Sequence, residues 1–304
     1  MKRIILFCTA ALFLAGLFSC ASDAASRGAS SASVEAAGSS PVWRITKGGN
    51  VLYLGGSIHT LRDTDFPLPD RFDYAYSKSD MLVIETDIDQ MSTAEVQEYL
   101  LYNSLFMDGR TLKTVLNPQV YKMLAQACNR YGFPLTGDVE YIKPSMVVNI
   151  LTVMQIQELG FMETGVDQYY YDKAKNDNKP VAFLESVESQ IDVIVSMGEG
   201  YEDEYVMYSL LDMDNTEEGI QALVAEWKTG EKSIAEESLY EMIDEWPSLY
   251  KSMITDRHDV WFPQIDQLLS SEKTCFIIVG FLHLPGPYGL LQYLESKGCT
   301  LEQL

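Results

Sequence analysis

Two apolar runs, near opposite ends of the chain, each stop at a glycine and deliver a histidine three places later. Val51-Leu-Tyr-Leu-Gly-Gly-Ser-Ile-His59 is the first, and Cys275-Phe-Ile-Ile-Val-Gly-Phe-Leu-His283 is the second. Both runs have the length and composition of buried strands. With 3 histidines and 20 glycines in 304 residues, chance supplies about 0.2 such Gly-x-x-His spacings, so the pair in matching contexts is a signal. A single histidine of this kind is most simply a core imidazole bonded to a backbone carbonyl. Two at strand ends fit a site better: neutral imidazole is the commonest transition-metal ligand, and ligands bind beyond the carboxyl ends of strands in α/β sheets.

The flanking sequence repeats a pattern. Pro41-Val-Trp-Arg-Ile-Thr46 and Val51–Gly55 are strand-like arms around Lys47-Gly-Gly-Asn50, which reads as a hairpin turn. After His59, Asp70 is placed to cap a helix through about Lys78, and Met81-Leu-Val-Ile-Glu85 is a short strand ending in a carboxylate. After His283 a helix through Lys297 stops at Gly298 and is followed by Cys299-Thr-Leu-Glu302. The predicted fold is therefore α/β, with a central sheet built from two similar strand, Gly-x-x-His, helix, strand units. Both histidines are expected at one sheet edge.

Between the units, residues of about 93–250 read as a large, mainly helical insertion. Helices are expected at 93–106, 118–131, 144–159, 166–175, 189–197, 201–211, 216–228 and 233–243. The strand Pro180-Val-Ala-Phe-Leu-Glu185 interrupts them and again ends in Glu. The 13 methionines and 18 tyrosines fall largely at helical spacing there, as core filling. Asp256-Arg257-His258-Asp259 lies where a helix toward Leu269 begins; Arg257 and His258 are then either an anion-orienting pair at a helix start or an exposed charged turn.

Residues 1–19 are excluded from the fold. Lys2 and Arg3 precede an apolar stretch, Ile4 to Phe18, that ends at Leu17-Phe-Ser-Cys20, the pattern of a bacterial lipoprotein signal with the lipid on Cys20. Residues 20–40 are small and polar and read as a flexible tether, leaving 41–304 as the folded domain. The implied location is the bacterial cell envelope, with the membrane contacted only through the N-terminal lipid. The net charge of −22, two units more negative without Lys2 and Arg3, argues against nucleic acid or anionic lipid as a partner. Of the five cysteines, Cys128, Cys275 and Cys299 remain in the domain, an odd number and no disulfide framework; a Cys275–Cys299 pair is possible only between neighbouring strands, and small buried thiols are the simpler expectation. No Cys-x-x-Cys, His-Glu-x-x-His or Gly-x-Ser-x-Gly occurs, which removes a zinc ribbon, an ordinary zincin and an α/β-hydrolase serine site.

Val42-Trp-Arg-Ile, Leu54-Gly-Gly-Ser-Ile-His59, Leu82-Val-Ile-Glu85, Gly165-Val-Asp167, Phe183-Leu-Glu185, Arg257 and Val279-Gly-Phe-Leu-His283-Leu-Pro-Gly together resemble the TraB/PrgY/GumN family over nearly all of 41–304. That family is similar to the Tiki metalloproteases and, more distantly, to erythromycin esterase and ChaN proteins. The resemblance implies an α/β fold with duplicated units and a helical insertion, and a site of His59, Glu85 and His283. The chain departs from the family in having His258 where Asn usually follows the Arg.

Such a set is chemically coherent. His59, His283 and Glu85 could hold Mn²⁺, Co²⁺ or Zn²⁺ with a position left for water; Glu85 or Glu185 could take the proton from that water; Arg257 or His258 could stabilise the oxyanion. Asp167 is expected to cap the helix that follows it. The first reading is a metal-dependent hydrolase of peptide or amide bonds. Its rivals are a lipoprotein that binds a peptide or small molecule without cleaving it, and a metal-free esterase in which one histidine is the base.

Overall fold

The computed structural model describes residues 40–161, 164–213 and 215–304. The signal sequence, Cys20 and all but the last residue of the tether lie outside the described residues. Ser40, that last residue, is buried and donates its N–H to the Leu304 carbonyl at 2.8 Å. No helix among the described residues is long and apolar enough to cross a membrane.

A hairpin opens the fold. β1 (Val42–Lys47) and β2 (Asn50–Ser57) pair antiparallel through Gly48 and Gly49, whose φ of 57° and 93° only glycine adopts freely. β3 (Met81–Ile84), β4 (Val181–Phe183), β5 (Cys275–Gly280) and β6 (Thr300–Gln303) complete one sheet in the order β4-β3-β5-β2-β1-β6. β5 lies parallel between β2 and β3, β4 is parallel to β3, and β1 is antiparallel to both its neighbours. Every residue of β5 is buried, which explains its unbroken apolar run: a central parallel strand is covered on both faces.

The two predicted units are present but interleaved. In the first, α1 (Asp70–Lys78) links β2 to β3, and β5 from the second unit inserts between those strands. In the second, α13 (Leu290–Ser296) carries the chain from β5 past β2 and β1 to the far edge. Interleaving makes the two histidine-bearing strands immediate neighbours, with Ser57 opposite Gly280. Asp70 is the first residue of α1 rather than its cap, which is Pro69.

Among the described residues, ten α-helices lie between β3 and the helix bearing Arg257. They are α2 (Ala94–Asn103), α3 (Leu112–Val115), α4 (Pro118–Arg130), α5 (Pro144–Glu158), α6 (Val166–Asp177), α7 (Val187–Ser196), α8 (Glu202–Met213), α9 (Thr216–Thr229), α10 (Ser233–Glu245) and α11 (Pro247–Tyr250). Most of α2–α5, α7 and α8 share a core around Leu124, Val147, Leu151 and Val206. α6 and α9 instead pack on the sheet through Tyr170, Leu223 and Trp227, beside Phe72 and Phe276. The Trp227 indole donates to the Gly56 carbonyl at 2.7 Å. Leu282, in the turn after β5, touches both cores and joins them.

The start of α6 is tied to the end of β2. The Val166 N–H donates to the Ile58 carbonyl at 3.1 Å, and Gly165 approaches so closely that a Cβ there would overlap the His59 carbonyl and the Ile58 oxygen. Backbone cannot move aside as a flexible side chain can. Gly165→Ala is expected to cost about 3 kcal/mol of unfolding free energy, read as a lower urea midpoint; an unchanged midpoint would mean that this contact is loose.

Candidate functional site

β2 and β5 end side by side, and their histidines meet across a glycine. A Cβ on Gly280 would stand 3.0 Å from His59 Nε2, 3.4 Å from Glu85 Oε1 and 3.5 Å from His283 Cδ2. The residues at the centre of the sequence argument are therefore gathered around one backbone position where a side chain would intrude.

His59 is oriented by a carboxylate 108 residues away. Its Nδ1 lies 3.1 Å from Asp167 Oδ2, so the neutral ring keeps its proton on Nδ1 and aims the bare Nε2 at Glu85 Oε1, 4.0 Å off. Asp167 also accepts from the Ser57 hydroxyl at 2.6 Å, and its own N–H reaches that hydroxyl at 3.3 Å. It sits in the first turn of α6, where the helix dipole favours a carboxylate. It does not cap the helix as expected, since the cap position is Gly165 with no side-chain capping bond; the Asp167 side chain serves His59 instead. Burial opposes the imidazolium, yet Asp167 and then Glu85 outweigh it and hold the His59 pKa above its ordinary value. Burial likewise works against the Asp167 carboxylate, and His59 and Ser57 outweigh it, leaving that pKa lowered.

On the other side of Gly280 lies a buried cation. Arg257 Nη2 donates to Glu85 Oε2 at 2.6 Å and to Glu185 Oε1 at 2.5 Å, and Nε bonds both Glu185 oxygens at 3.1 and 3.2 Å. Burial works against the Arg257 charge, but Glu85 and Glu185 more than restore it, so its pKa is raised. Glu185 Oε2 also accepts from the Trp261 indole at 3.2 Å. Glu85 is held by the Gly280 N–H at 2.6 Å and by Gln190 Nε2 at 3.0 Å. Thr86, next to it, has a buried hydroxyl with no hydrogen-bond partner among the described residues.

A chain of donors fixes the tautomers of the other two histidines. His258 Nδ1 is 2.8 Å from the Tyr288 carbonyl, an acceptor only, so that nitrogen carries the proton and Nε2 is bare. His283 Nδ1 must then donate to His258 Nε2 across 3.0 Å. His283 Nε2 accepts in turn from Arg257 Nη1 at 2.8 Å. Burial, then the Arg257 charge, pushes His283 well below its ordinary value. His258, depressed mainly by burial, falls to about 4.

These bonds correct several roles expected from the sequence. Glu185 has both oxygens engaged by Arg257 and Trp261, so it is not placed as a base. His258 is 1% exposed with both nitrogens used, so it neither forms a charged surface turn nor reaches a substrate. Arg257 and His258 do not head a helix: α12 (Asp256–Leu269) continues from a π-turn, Lys251–Thr255, and the Asp256 N–H is bonded to the Lys251 carbonyl. The helix-start anion site is thus absent at that point. Cys275 and Cys299 are free thiols. His59, Glu85 and His283 converge, but as arranged they do not fit a three-donor metal site, because His283 spends one nitrogen on His258 and the lone pair of the other on Arg257. Among the described residues no three His, Cys, Asp or Glu side chains form a metal-holding group.

Removing the guanidinium would leave two buried carboxylates facing one another. Arg257→Met is expected to cost about 3–5 kcal/mol by chemical denaturation at neutral pH. A loss under 1 kcal/mol would show that solvent already shares this site.

No curated protein and no solved structure matches the chain significantly. The model of the TraB/PrgY/gumN family does match, over residues 41–303, a span that takes in all six strands and every side chain described above. On that match, the chain belongs to the TraB/PrgY/gumN family.

Proposed function

We propose that this chain is a hydrolase of amide bonds, a peptidase, in which His59 Nε2 takes the proton from an attacking water. The observation that carries this reading is the Asp167–His59 pair, 3.1 Å apart, with the Nε2 edge of the imidazole turned toward Glu85. A gap of 4.0 Å is too long for a direct hydrogen bond. One water about 2.8 Å from each atom bridges such a gap at nearly a right angle. Glu85 then orients the water while His59 deprotonates it, and Asp167 stabilises the imidazolium that forms. The same imidazolium returns the proton to the leaving amine. Arg257 is a positioning residue: it binds Glu85 Oε2 and leaves Oε1 on the Gly280 N–H, facing His59.

The metal-dependent version expected from the sequence remains the second reading, favoured by His59 Nε2 and Glu85 Oε1 facing one another. It requires Arg257 to release the lone pair of His283 Nε2. A peptide-binding lipoprotein without turnover is the third, and release of product separates it from the other two.

A water-activating histidine works only when neutral, and its folded pKa is raised. Turnover on a peptide panel is therefore expected to fall as pH drops through a midpoint above 6.5, the ordinary value. Asp167→Asn removes the largest favourable influence on the imidazolium, so the midpoint should move to lower pH, and kcat should drop by about 10²–10⁴. Chelators should leave the rate unchanged. Loss of turnover on chelation with recovery on Mn²⁺ would overturn the metal-free mechanism, and no product from any peptide would overturn hydrolysis.

A further inference from the structure

One guanidinium serves the acids gathered at the end of the sheet, and it serves them unequally. Of its hydrogen bonds to Glu85 and Glu185, three go to Glu185 and one to Glu85. Asp167 is held by Ser57 and His59 instead. Glu85 and Asp167 therefore approach His59 from its two ring nitrogens, with most of the one nearby arginine turned toward Glu185.

A recess with about 30 Å³ open to water lies against these groups, lined by His59, Glu85, Asp167 and Gln190 together with the aliphatic Ile84 and Ile88. A water needs about 10–15 Å³ of such space, so about two water-sized groups fit and a bulky side chain does not. No lysine or arginine lines it. Asp167 and His59 form its outer rim, with side chains 22% and 13% exposed, and Glu85, at 6%, lies deeper. Gln190 already directs its amide nitrogen at Glu85.

Such a space suits a compact cation with several N–H donors. Its donors would meet carboxylate oxygens, each of which accepts more than one hydrogen bond. A carboxylate or carbonyl there would meet acceptors and lose its water without a partner. An ammonium group has the required size and charge, and a peptide offers two kinds, at its amino terminus and on lysine. Covalent geometry favours the terminus: an α-nitrogen stands about 2.5 Å from the carbonyl carbon of its own residue. A water poised to attack that carbon is about 3–3.5 Å from it. The ammonium and the attacking water are then near neighbours, like the two waters the recess has room for. A lysine ε-nitrogen lies several bonds further from its carbonyl and would separate the two.

We propose that this recess takes the free α-ammonium of a peptide beside the attacking water, so that the chain removes residues singly from amino termini. The oxygen of the water joins the first carbonyl carbon, the bond from that carbon to nitrogen breaks, and the proton of the water passes to the leaving nitrogen. The choice of bond rests on the hydrolase reading; the preference for a free amine belongs to binding and is measured apart from turnover.

Tripeptides beginning with Ala, Leu or Lys test this, each in three copies: free amine, N-acetyl, and a des-amino form with hydrogen in place of the amine. Binding is followed by calorimetry on analogues with a ketomethylene in place of the first amide, and products of the plain peptides by mass spectrometry. At pH 7 the free copies should bind at least tenfold more tightly than the other two. That difference should shrink as pH rises past about 8, where a free α-amine loses its proton. Only the free copies should be cleaved, losing their first residue. Asp167→Asn should weaken the free copies by tenfold or more and leave the des-amino copies unchanged; should that variant not fold, the series on the natural chain decides alone. Equal binding of free and des-amino copies, binding of no copy, or cleavage of acetylated peptides at the same rate would overturn the proposal. Tight binding of the acetylated Lys peptide alone would overturn it too, by giving the recess to a side chain. Selective binding without product would uphold the site and contradict the hydrolase; cleavage without need of a free amine would do the reverse.

Discussion

One buried guanidinium organises the end of the sheet. Arg257 is reached by Glu85 from the end of β3, by Glu185 from the loop after β4, and by His283 from the turn after β5. Taking a cation and two carboxylates out of water costs several kcal/mol per ion, and only good geometry with nearly every donor and acceptor engaged recovers it. Glu185 meets that condition with four bonds, three from Arg257 and one from Trp261, and Glu85 with bonds from Arg257, Gln190 and the Gly280 backbone. Such a network tolerates few arrangements, so it fixes where three strand ends stand relative to α12.

The sheet topology makes this meeting possible. Because β5 enters between β2 and β3, three parallel carboxyl ends are adjacent, and each delivers a polar residue within a few positions of its last paired residue. Glycine at 280 leaves the room in which these side chains converge, and the close approach at Gly165 brings Asp167 to His59. Two histidines in matching sequence motifs consequently have different chemistry. His59 faces carboxylates and is biased toward the charged form. His283 faces a guanidinium and another imidazole and is held neutral.

Much of this frame was legible in the sequence, because it rests on local patterns. Apolar runs of strand length, a Gly-Gly turn and helical spacing identify the strands and most helices, and the repeated Gly-x-x-His finds the sheet edge. What was hidden depends on distance in the folded chain. Asp167 at the start of α6 is indistinguishable from a helix-start acid until Gly165 is seen against the His59 backbone. The Tyr288 carbonyl that sets two tautomers has no side-chain signature at all. Gln190 sits on an amphipathic helix where its amide looks like surface. Nor does composition reveal that Arg257 takes the lone pair of His283, and that one contact separates a gathered set of donors from a metal cage.

The donor chain from Arg257 through His283 and His258 to the Tyr288 carbonyl is the claim on which the assignment of roles turns. Nitrogen-15 NMR of the three imidazoles, followed through a pH titration, tests it directly. The account predicts His283 as the Nδ1–H tautomer and neutral well below pH 6.5, His258 titrating near 4, and His59 titrating above 6.5. An Nε2–H tautomer at His283, or a His283 that titrates like a free imidazole, would contradict it.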